Sequence, residues 1–278
     1  MAAARLGNEP VRGRAARRSF VDFASPARNR LRSVWALRVA IIAAVLAIWE
    51  VVAESGWLFR DVVPTVPVIA RAVARLLVDG SFYSNLAVTG AEIVAALAIG
   101  GIAGLVAGLV LGGNRFLARA YEGFIYYLGP TPKIIFFPIM ILWFGVGPGS
   151  KIAMGALSAF FPIVISVASG MRQIAPVLLR VGKSFRATPW QMTRTIYLPA
   201  MRTPIVNGFR LGLGLAIIGA LLAETKLSNR GLGYLIIQSY TTFDMPRMYA
   251  LLIVLFVIAI GLNALIGRYA VSDRARSS

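Results

Sequence analysis

The chain has 278 residues, of which 58% are hydrophobic and only 14% are charged, and its formal net charge at pH 7 is +18. Soluble domains carry about 25% charged residues, and several apolar runs here exceed the roughly 18 residues that cross a bilayer. The composition therefore indicates an integral membrane protein. Cysteine and histidine are both absent, which excludes thiol chemistry and removes the commonest transition-metal ligand. We expect no metal site, no cofactor and no catalytic residue.

Residues 1–34 are rich in arginine, alanine, serine and proline, and they show no apolar period. This composition predicts a disordered basic tail. The next stretch, WALRVAIIAAVLAIWEVVAE, is longer than the apolar region of a signal peptide and ends in glutamate instead of a small-residue cleavage site. We interpret it as an uncleaved first membrane span over residues 35–54.

The region after the first span is polar and is interrupted by Pro64 and Pro67, and the apolar residues of VPVIARAVARLLVDG share one helical stripe. This pattern predicts a surface helix and not a span. The second span, 84–112, carries glycines at steps of four residues, which predicts a face for close helix packing. These glycines are Gly100, Gly104, Gly108 and Gly112.

Prolines interrupt the third predicted span, residues 119–145, and each removes a backbone hydrogen-bond donor, so this helix is expected to be bent or broken. They are Pro130, Pro132 and Pro138. Three further spans are predicted at 150–170, 204–223 and 248–270, with a polar loop at 224–247 and a cytoplasmic tail at 271–278. The sequence thus predicts an all-α integral membrane fold whose membrane domain, residues 35–270, has about six transmembrane helices.

The positions of the lysines and arginines predict the orientation of these spans. With the N-terminus in the cytoplasm, 21 of the 29 basic residues fall in cytoplasmic segments or towards the cytoplasmic ends of spans, seven lie on the outside, and Lys133 lies well within a span. This asymmetry follows the positive-inside rule. It predicts a multi-pass protein with both termini in the cytoplasm, and it explains the net charge without a nucleic-acid partner.

The segment between the fourth and fifth spans interrupts the apolar sequence with a basic helical hairpin. Residues 174–186 are amphipathic, and Thr188-Pro189-Trp190-Gln191 combines the spacing of a capping box with proline at the first helical position. A second helix over 189–198 is expected, limited by Pro199, with Trp190 near the tip. The residues alone leave two interpretations open: a hairpin resting on lipid headgroups, or a docking site for a cytoplasmic partner.

Three parts of the chain are distinctive: WQMTRTIYLPA, the small-residue helix that ends in AE at 223 and 224, and the GLGYLI that follows. They resemble permease subunits of bacterial ABC importers, in particular their cytoplasmic EAA loop and the sequence after it. The branch that transports nitrate, sulfonates, taurine and bicarbonate is the most similar. Further matches are PTPKIIFFPIMILWFGVGPGSK, FFPIVISVASGMRQI at 160–174 and RGLGYLI at 230–236. The resemblance extends over roughly residues 60 to 270.

This resemblance implies a type I importer-like permease, without ATPase activity of its own, that pairs with a second permease copy. It further implies two cytoplasmic ABC ATPase subunits bound through the hairpin, and an extracytoplasmic binding protein that delivers a small, anionic solute. The implied coupling residues are Arg180, Val181, Gly182, Lys183, Arg186, Thr188, Pro189, Trp190, Gln191, Leu198 and Pro199.

The chain departs from the family pattern EAAxxxG at two positions: Arg180 replaces the leading glutamate, and Arg186 replaces the glycine. Three explanations follow: an acidic groove on the ATPase, pairing with a more typical permease, or a degenerate subunit that does not transport. The sequence does not specify the solute, and nitrate, sulfonates, taurine, bicarbonate, aromatic acids and a pyrimidine vitamin precursor all remain candidates.

Glu92 lies well inside the second span, where a charge costs about 2.5–3.5 kcal/mol on insertion scales. Three roles are open: lining the pathway, pairing with Lys133, or extending towards the outer membrane surface, and a structural partner is favoured. Two other classes of function are less consistent with the sequence. A stand-alone secondary transporter or channel should show an internal repeat or several charges within the spans, and a membrane enzyme lacks catalytic groups here. The GKS at 182–184 lacks the earlier glycine of a phosphate-binding loop.

Overall fold

The computed structural model describes residues 26–57 and 62–271, and these residues are helical with no β-strand. A 3₁₀ turn covers Lys133–Phe136 and a π-helical turn covers Thr193–Tyr197. The α-helices are α1 (Pro26–Glu54), α2 (Val66–Val78), α3 (Gly80–Gly113), α4 (Arg115–Leu128), α5 (Phe137–Phe144), α6 (Pro148–Arg172), α7 (Pro176–Ser184), α8 (Pro189–Met192), α9 (Leu198–Ala200), α10 (Arg202–Lys226), α11 (Leu232–Thr241) and α12 (Met245–Val271).

Five helices of the described residues are long and apolar enough to cross a membrane, and a bent helix pair brings the number to six. The five are Val34–Glu54, Gly80–Gly113, Pro148–Arg172, Arg202–Lys226 and Met245–Arg268, and the bent pair is Arg115–Leu128 with Lys133–Phe144. The six predicted spans are therefore confirmed as helices of suitable length. The amphipathic α2 is confirmed as well, and at 13 residues it is too short to cross a bilayer.

The first and last long helices, α1 and α12, extend beyond the spans predicted at 35–54 and 248–270. Helix α1 already begins at Pro26, inside the segment 1–34 predicted as a tail, with proline near its start as is common for helices. Residues 1–25 and 272–278 lie outside the described residues. The structure divides into one compact unit up to Val51 and a second from Val52 onwards, and the second contains every feature discussed below.

Helix α6 is the centre of the second unit, and its residues Ala159, Ile163 and Val167 are completely buried. Helices α3 and α10 pack along it because small residues let the backbones approach. A Cβ atom on Gly108 would lie 2.6 Å from Cβ of Val167, and one on Gly212 would lie 2.7 Å from Cδ1 of Ile163. The glycine face predicted for the second span is therefore confirmed, and it faces α6.

The third span bends by 94° between α4 and the segment beginning at Lys133. The bend falls where Pro130 and Pro132 remove two backbone donors, as the sequence predicted. Asn114 starts α4 by accepting hydrogen bonds from the backbone N–H groups of Phe116 (2.9 Å) and Leu117 (3.3 Å). The span is thus two shorter helices with irregular backbone between them.

The segment 224–247, predicted to be a polar loop, contains helix α11. The prediction of a loop was wrong because a ten-residue helix with polar neighbours shows too few apolar residues for its periodicity to be recognised. In the structure Leu232 and Leu235 are buried and pack with Phe82 and Leu251. This short helix joins the end of α10 to the start of α12.

Candidate functional site

The hairpin between α6 and α10 begins with α7, which ends in a Schellman turn. The backbone N–H of Arg186 donates to the carbonyl of Lys183 (2.9 Å), and that of Ala187 donates to the carbonyl of Gly182 (3.0 Å). Arg186 takes the left-handed position of this turn, with φ +49°. Glycine is the usual residue there because it lacks a Cβ atom, which gives a physical reason for the glycine of the family pattern.

We expect Arg186→Gly to stabilise the hairpin turn by up to about 1 kcal/mol, because glycine adopts positive φ without steric cost. Proteolysis of the hairpin in the purified full-length protein should slow accordingly. The matched control is Arg180→Gly, which places glycine inside exposed α7 and should cost about 1 kcal/mol. Equal losses in both variants would show that the turn does not favour glycine.

The second arm of the hairpin starts at the capping box predicted from the sequence. The Gln191 N–H donates to Thr188 Oγ1 (3.3 Å), and the Thr188 N–H donates to Gln191 Oε1 (2.8 Å). Pro189 occupies the first helical position. The arm continues through a π-helical turn into α9 and ends at Ala200, one residue beyond Pro199. The cap geometry is confirmed, whereas a role in coupling remains a prediction.

We expect Thr188→Ala to destabilise the second arm by about 0.5–2 kcal/mol, because it leaves the Gln191 N–H without its side-chain acceptor. Hydrogen exchange of the amides at the start of α8 should accelerate, while the exchange of α6 and α10 stays unchanged. Thr188→Ser keeps the hydroxyl and is the control. Exchange at wild-type rates in the alanine variant would contradict the cap's contribution.

The two arms pack closely at Gly182, where a Cβ atom would overlap Met192 and lie 2.7 Å from Cδ1 of Ile196. The apolar stripe of α7 does not face this contact. Its side chains are exposed, as is Trp190 at 71%. The exposed stripe consists of Val177, Leu178, Val181 and Phe185. A contiguous apolar surface of this kind, bordered by arginine and lysine, is typical of a site that another molecule covers.

A second site lies at the opposite end of α6 and α10, where charged side chains are buried together. Glu92, Lys151 and Glu224 are each at most 3% exposed. Lys151 Nζ lies 3.9 Å from Glu92 Oε1 and donates to the Ser228 hydroxyl (2.8 Å). Among the described residues, no donor reaches either carboxylate oxygen of Glu92. Buried charges of this kind within spans are costly, and they are usually paired.

Glu224 connects the end of α10 to the start of α11. Its Oε2 accepts from the Gly233 N–H (2.6 Å), and its Oε1 accepts from the Thr89 hydroxyl (2.6 Å). Thr89 Oγ1 in turn accepts from the Leu232 N–H (2.8 Å). A carboxylate at a helix N-terminus is favoured by the orphan N–H groups and the helix dipole. Gly231 and Gly233 leave room for it, since a Cβ atom on either would overlap Glu224.

The structure corrects the suggested pairing of Glu92 with Lys133, because the cation beside Glu92 is Lys151. Lys133 instead donates to the carbonyl groups of Gly129 and Thr131 at the bend of the third span. The bend separates these backbone acceptors from their helical donors, so the ammonium group replaces those donors.

Sequence reasoning missed Lys151 and Glu224 as members of one site. The count of basic residues assigns Lys151 to the seven in outside segments, whereas in the structure it lies in the first turn of α6. A signal for Glu224 was present: glutamate near the C-terminal end of a helix is unfavourable with the helix dipole, so its position there indicates a specific partner.

An open groove of about 880 Å³ runs along α6 and α10 on the hairpin side. Its lining contains uncharged polar side chains from α6, α10 and the residue that follows α6. They are Ser166, Ser169, Gln173, Thr203 and Asn207. Hydroxyl and amide groups on an otherwise apolar membrane helix face are typical of a surface that contacts water or a polar solute.

Comparison with known proteins places these features in a family. The model of the binding-protein-dependent transport system inner membrane component matches residues 100–276. The chain is 31% identical over 239 residues to the putative aliphatic sulfonates transport permease protein SsuC of Escherichia coli (strain K12), covering 85% of this chain and 88% of that protein. It is 27% identical over 237 residues to the nitrate import permease protein NrtB of Synechococcus elongatus, covering 81% and 84%.

A solved structure shares the fold. An inward-facing conformation of the MetNI methionine ABC transporter aligns with a TM-score of 0.57 and 20% identity, covering 75% of this chain and 99% of that chain. Fold, spans and relatives define a helical membrane transport subunit. The chain belongs to the family of inner membrane components of binding-protein-dependent transport systems. The resemblance to ABC importer permeases is therefore confirmed.

Proposed function

We propose that this permease imports a small anion in a complex with cytoplasmic ABC ATPase subunits, an extracytoplasmic binding protein and a second permease copy. ATP hydrolysis takes place in the separate ATPase subunits. The observation that carries the proposal is the exposed apolar stripe of α7 beside Trp190, on a hairpin whose turn and caps are well formed. A rigid, exposed hairpin with an aromatic residue suits a groove on a partner.

The orientation proposed for the complex places the hairpin and both termini in the cytoplasm. The positive-inside bias supports it, because the hairpin region is among the most basic parts of the chain. With this orientation the cluster of Glu92, Lys151 and Glu224 lies towards the outside, where the binding protein docks. The hairpin then faces the ATPases.

The groove along α6 and α10 supports a translocation path for a small polar solute on the hairpin side. Serine, threonine, asparagine and glutamine side chains line it, so a solute meets hydrogen-bonding groups without a fixed carboxylate. Two relatives carry names that specify aliphatic sulfonates and nitrate, both anions. An anionic solute therefore fits both the groove and the relatives.

We expect Trp190→Ala to weaken binding of the ATPase subunit by about 2 kcal/mol, roughly 30-fold in Kd, because it removes an exposed aromatic anchor. The measurement is ATPase association with the full-length permease in lipid nanodiscs. Trp190→Phe is the control and should retain most of the affinity. Wild-type association of the alanine variant, together with normal transport, would favour a hairpin that rests on lipid headgroups.

A further inference from the structure

Lys133 and Lys151 are two lysines within the predicted spans or at their ends, and their surroundings differ. Lys151 lies beside the carboxylate of Glu92. Lys133 forms no ion pair with a carboxylate anywhere in residues 26–57 and 62–271. Its ammonium group contacts only neutral groups: the backbone carbonyls of Gly129 and Thr131, and the ring of Phe161, whose centroid lies 5.0 Å from Nζ. No carboxylate among the described residues therefore pairs with the Lys133 ammonium group.

The bend in the third span places this charge where the backbone is irregular. Irregular backbone at membrane depth is tolerated where protein buries it or where it faces a water-filled cavity. Discontinuous spans also supply solute sites in other transporters, since their freed polar groups point into the path. Lys133 is half-buried at this break, so part of its side chain remains accessible.

The lining of the groove along α6 and α10 does not include Lys133 but comes close to it at Ile165. Pro162 and Ile165 form the end of the groove that is nearest the middle of α6. Lys133 Nζ lies over Phe161, the residue before Pro162. A Cβ atom on Gly129, whose carbonyl accepts from Lys133, would lie 3.5 Å from Cδ1 of Ile165. Gly129 therefore lies between the Lys133 ammonium group and Ile165 at the deep end of the groove.

We infer that the Lys133 ammonium group binds the anionic group of the transported solute at the deep end of this groove. The inference rests on the proposed import of a small anion, and it names the residue that selects for negative charge. Ammonium groups have three donors, of which two are used by the carbonyls, so one remains for a sulfonate, carboxylate or nitrate oxygen. The uncharged groove supplies hydrogen bonds, and Lys133 supplies the charge.

The first test measures the electrostatic effect of Lys133 without knowledge of the solute. The chain has no cysteine, so Ile165→Cys introduces a single thiol at the deep end of the groove. In the assembled transporter, this thiol is modified with sulfonatoethyl methanethiosulfonate, an anion, and with its trimethylammonium counterpart. We expect Lys133→Gln to reduce the ratio of anionic to cationic modification rates about tenfold. Glutamine is chosen because its amide can still donate to the freed carbonyl groups.

A thiol at the hairpin end of the groove is the matched control. Thr203 lies on α10 near the hairpin, and Thr203→Cys places a thiol there. At this thiol, Lys133→Gln should change the ratio of anionic to cationic modification rates by less than about twofold, because screening weakens the effect of the charge over distance. Lys133→Arg should keep the wild-type ratio at residue 165. An unchanged ratio at residue 165, or equal changes at both positions, overturns the assignment.

The second test measures import in proteoliposomes that contain the complete transporter, with ethanesulfonate and nitrate as probes. We expect Lys133→Gln to lower the apparent affinity for the imported anion about tenfold, and Lys133→Arg to remain close to wild type. If wild type and Lys133→Gln import anions with equal affinity, the role of Lys133 is overturned, whereas the proposal of anion import is not. Import of only neutral or cationic solutes by the wild type refutes the anion proposal itself. If Lys133→Gln fails to assemble, the Ile165→Cys variant with Lys133 intact decides: a ratio of anionic to cationic modification rates no higher than that of a free thiol in the same buffer also overturns the assignment.

Discussion

Glu224→Ala is expected to destabilise the protein by about 3–5 kcal/mol. The substitution removes the acceptor of the Thr89 hydroxyl and of the Gly233 N–H in a fully buried position. Each buried donor without a partner costs about 1–3 kcal/mol, and the change also alters the charge balance around Lys151. The free energy of unfolding in mixed micelles measures the loss, and the amount of folded protein in the membrane should fall with it.

Glu122→Ala is the matched control, since Glu122 is a partly exposed glutamate that pairs with Arg172 at 2.7 Å. Exposed ion pairs contribute about 0–1 kcal/mol, so this loss should be several-fold smaller. Glu224→Gln keeps one oxygen acceptor and should lie between the two. Similar stabilities of the Glu224→Ala and Glu122→Ala variants would mean that the buried carboxylate does not hold α10 to α11.

Gly231→Ala is expected to cost about 3 kcal/mol or more, for two separate reasons. Gly231 has φ +104° and ψ 168°, a region that is essentially restricted to glycine and costs other residues about 1–3 kcal/mol. In addition, a Cβ atom there would overlap the Glu224 carboxylate and displace it from the start of α11. Thermal unfolding of the detergent-solubilised protein should show a lower midpoint.

Gly90→Ala provides the comparison, because Gly90 lies inside helix α3 and a Cβ atom there meets nothing within 4 Å. Alanine favours a helix interior by about 1 kcal/mol over glycine, so this variant should be as stable as wild type or more stable. A lower midpoint for Gly90→Ala than for Gly231→Ala would show that neither the backbone conformation nor the contact with Glu224 restricts residue 231.

Local signals in the sequence were sufficient to predict most of the fold. Runs of apolar residues located all six spans, and the prolines at 130 and 132 located the bend. The spacing from Thr188 to Gln191 predicted the capping box with its two reciprocal hydrogen bonds. Each of these features depends on residues within a few positions of one another, so periodicity and capping rules apply to them directly.

The buried charge cluster could not be predicted in the same way, because its members come from distant parts of the chain. Glu92, Lys151 and Glu224 meet only after α3, α6 and α10 have packed. Nothing local to Lys151 distinguishes it from a lysine in a loop. The glycine motif beginning at Gly231 was recognised as a family feature, but its reason, room for a carboxylate, requires the folded arrangement.

Helices α6 and α10 are connected to each other at both ends. At one end they are joined through the hairpin, which follows Arg172 and precedes Arg202, and at the other Lys151 and Glu224 belong to one cluster. Each helix has 25 residues and is about 37 Å long at 1.5 Å per residue. Because they are joined at both ends, these two helices are expected to resist sliding past each other and to move together.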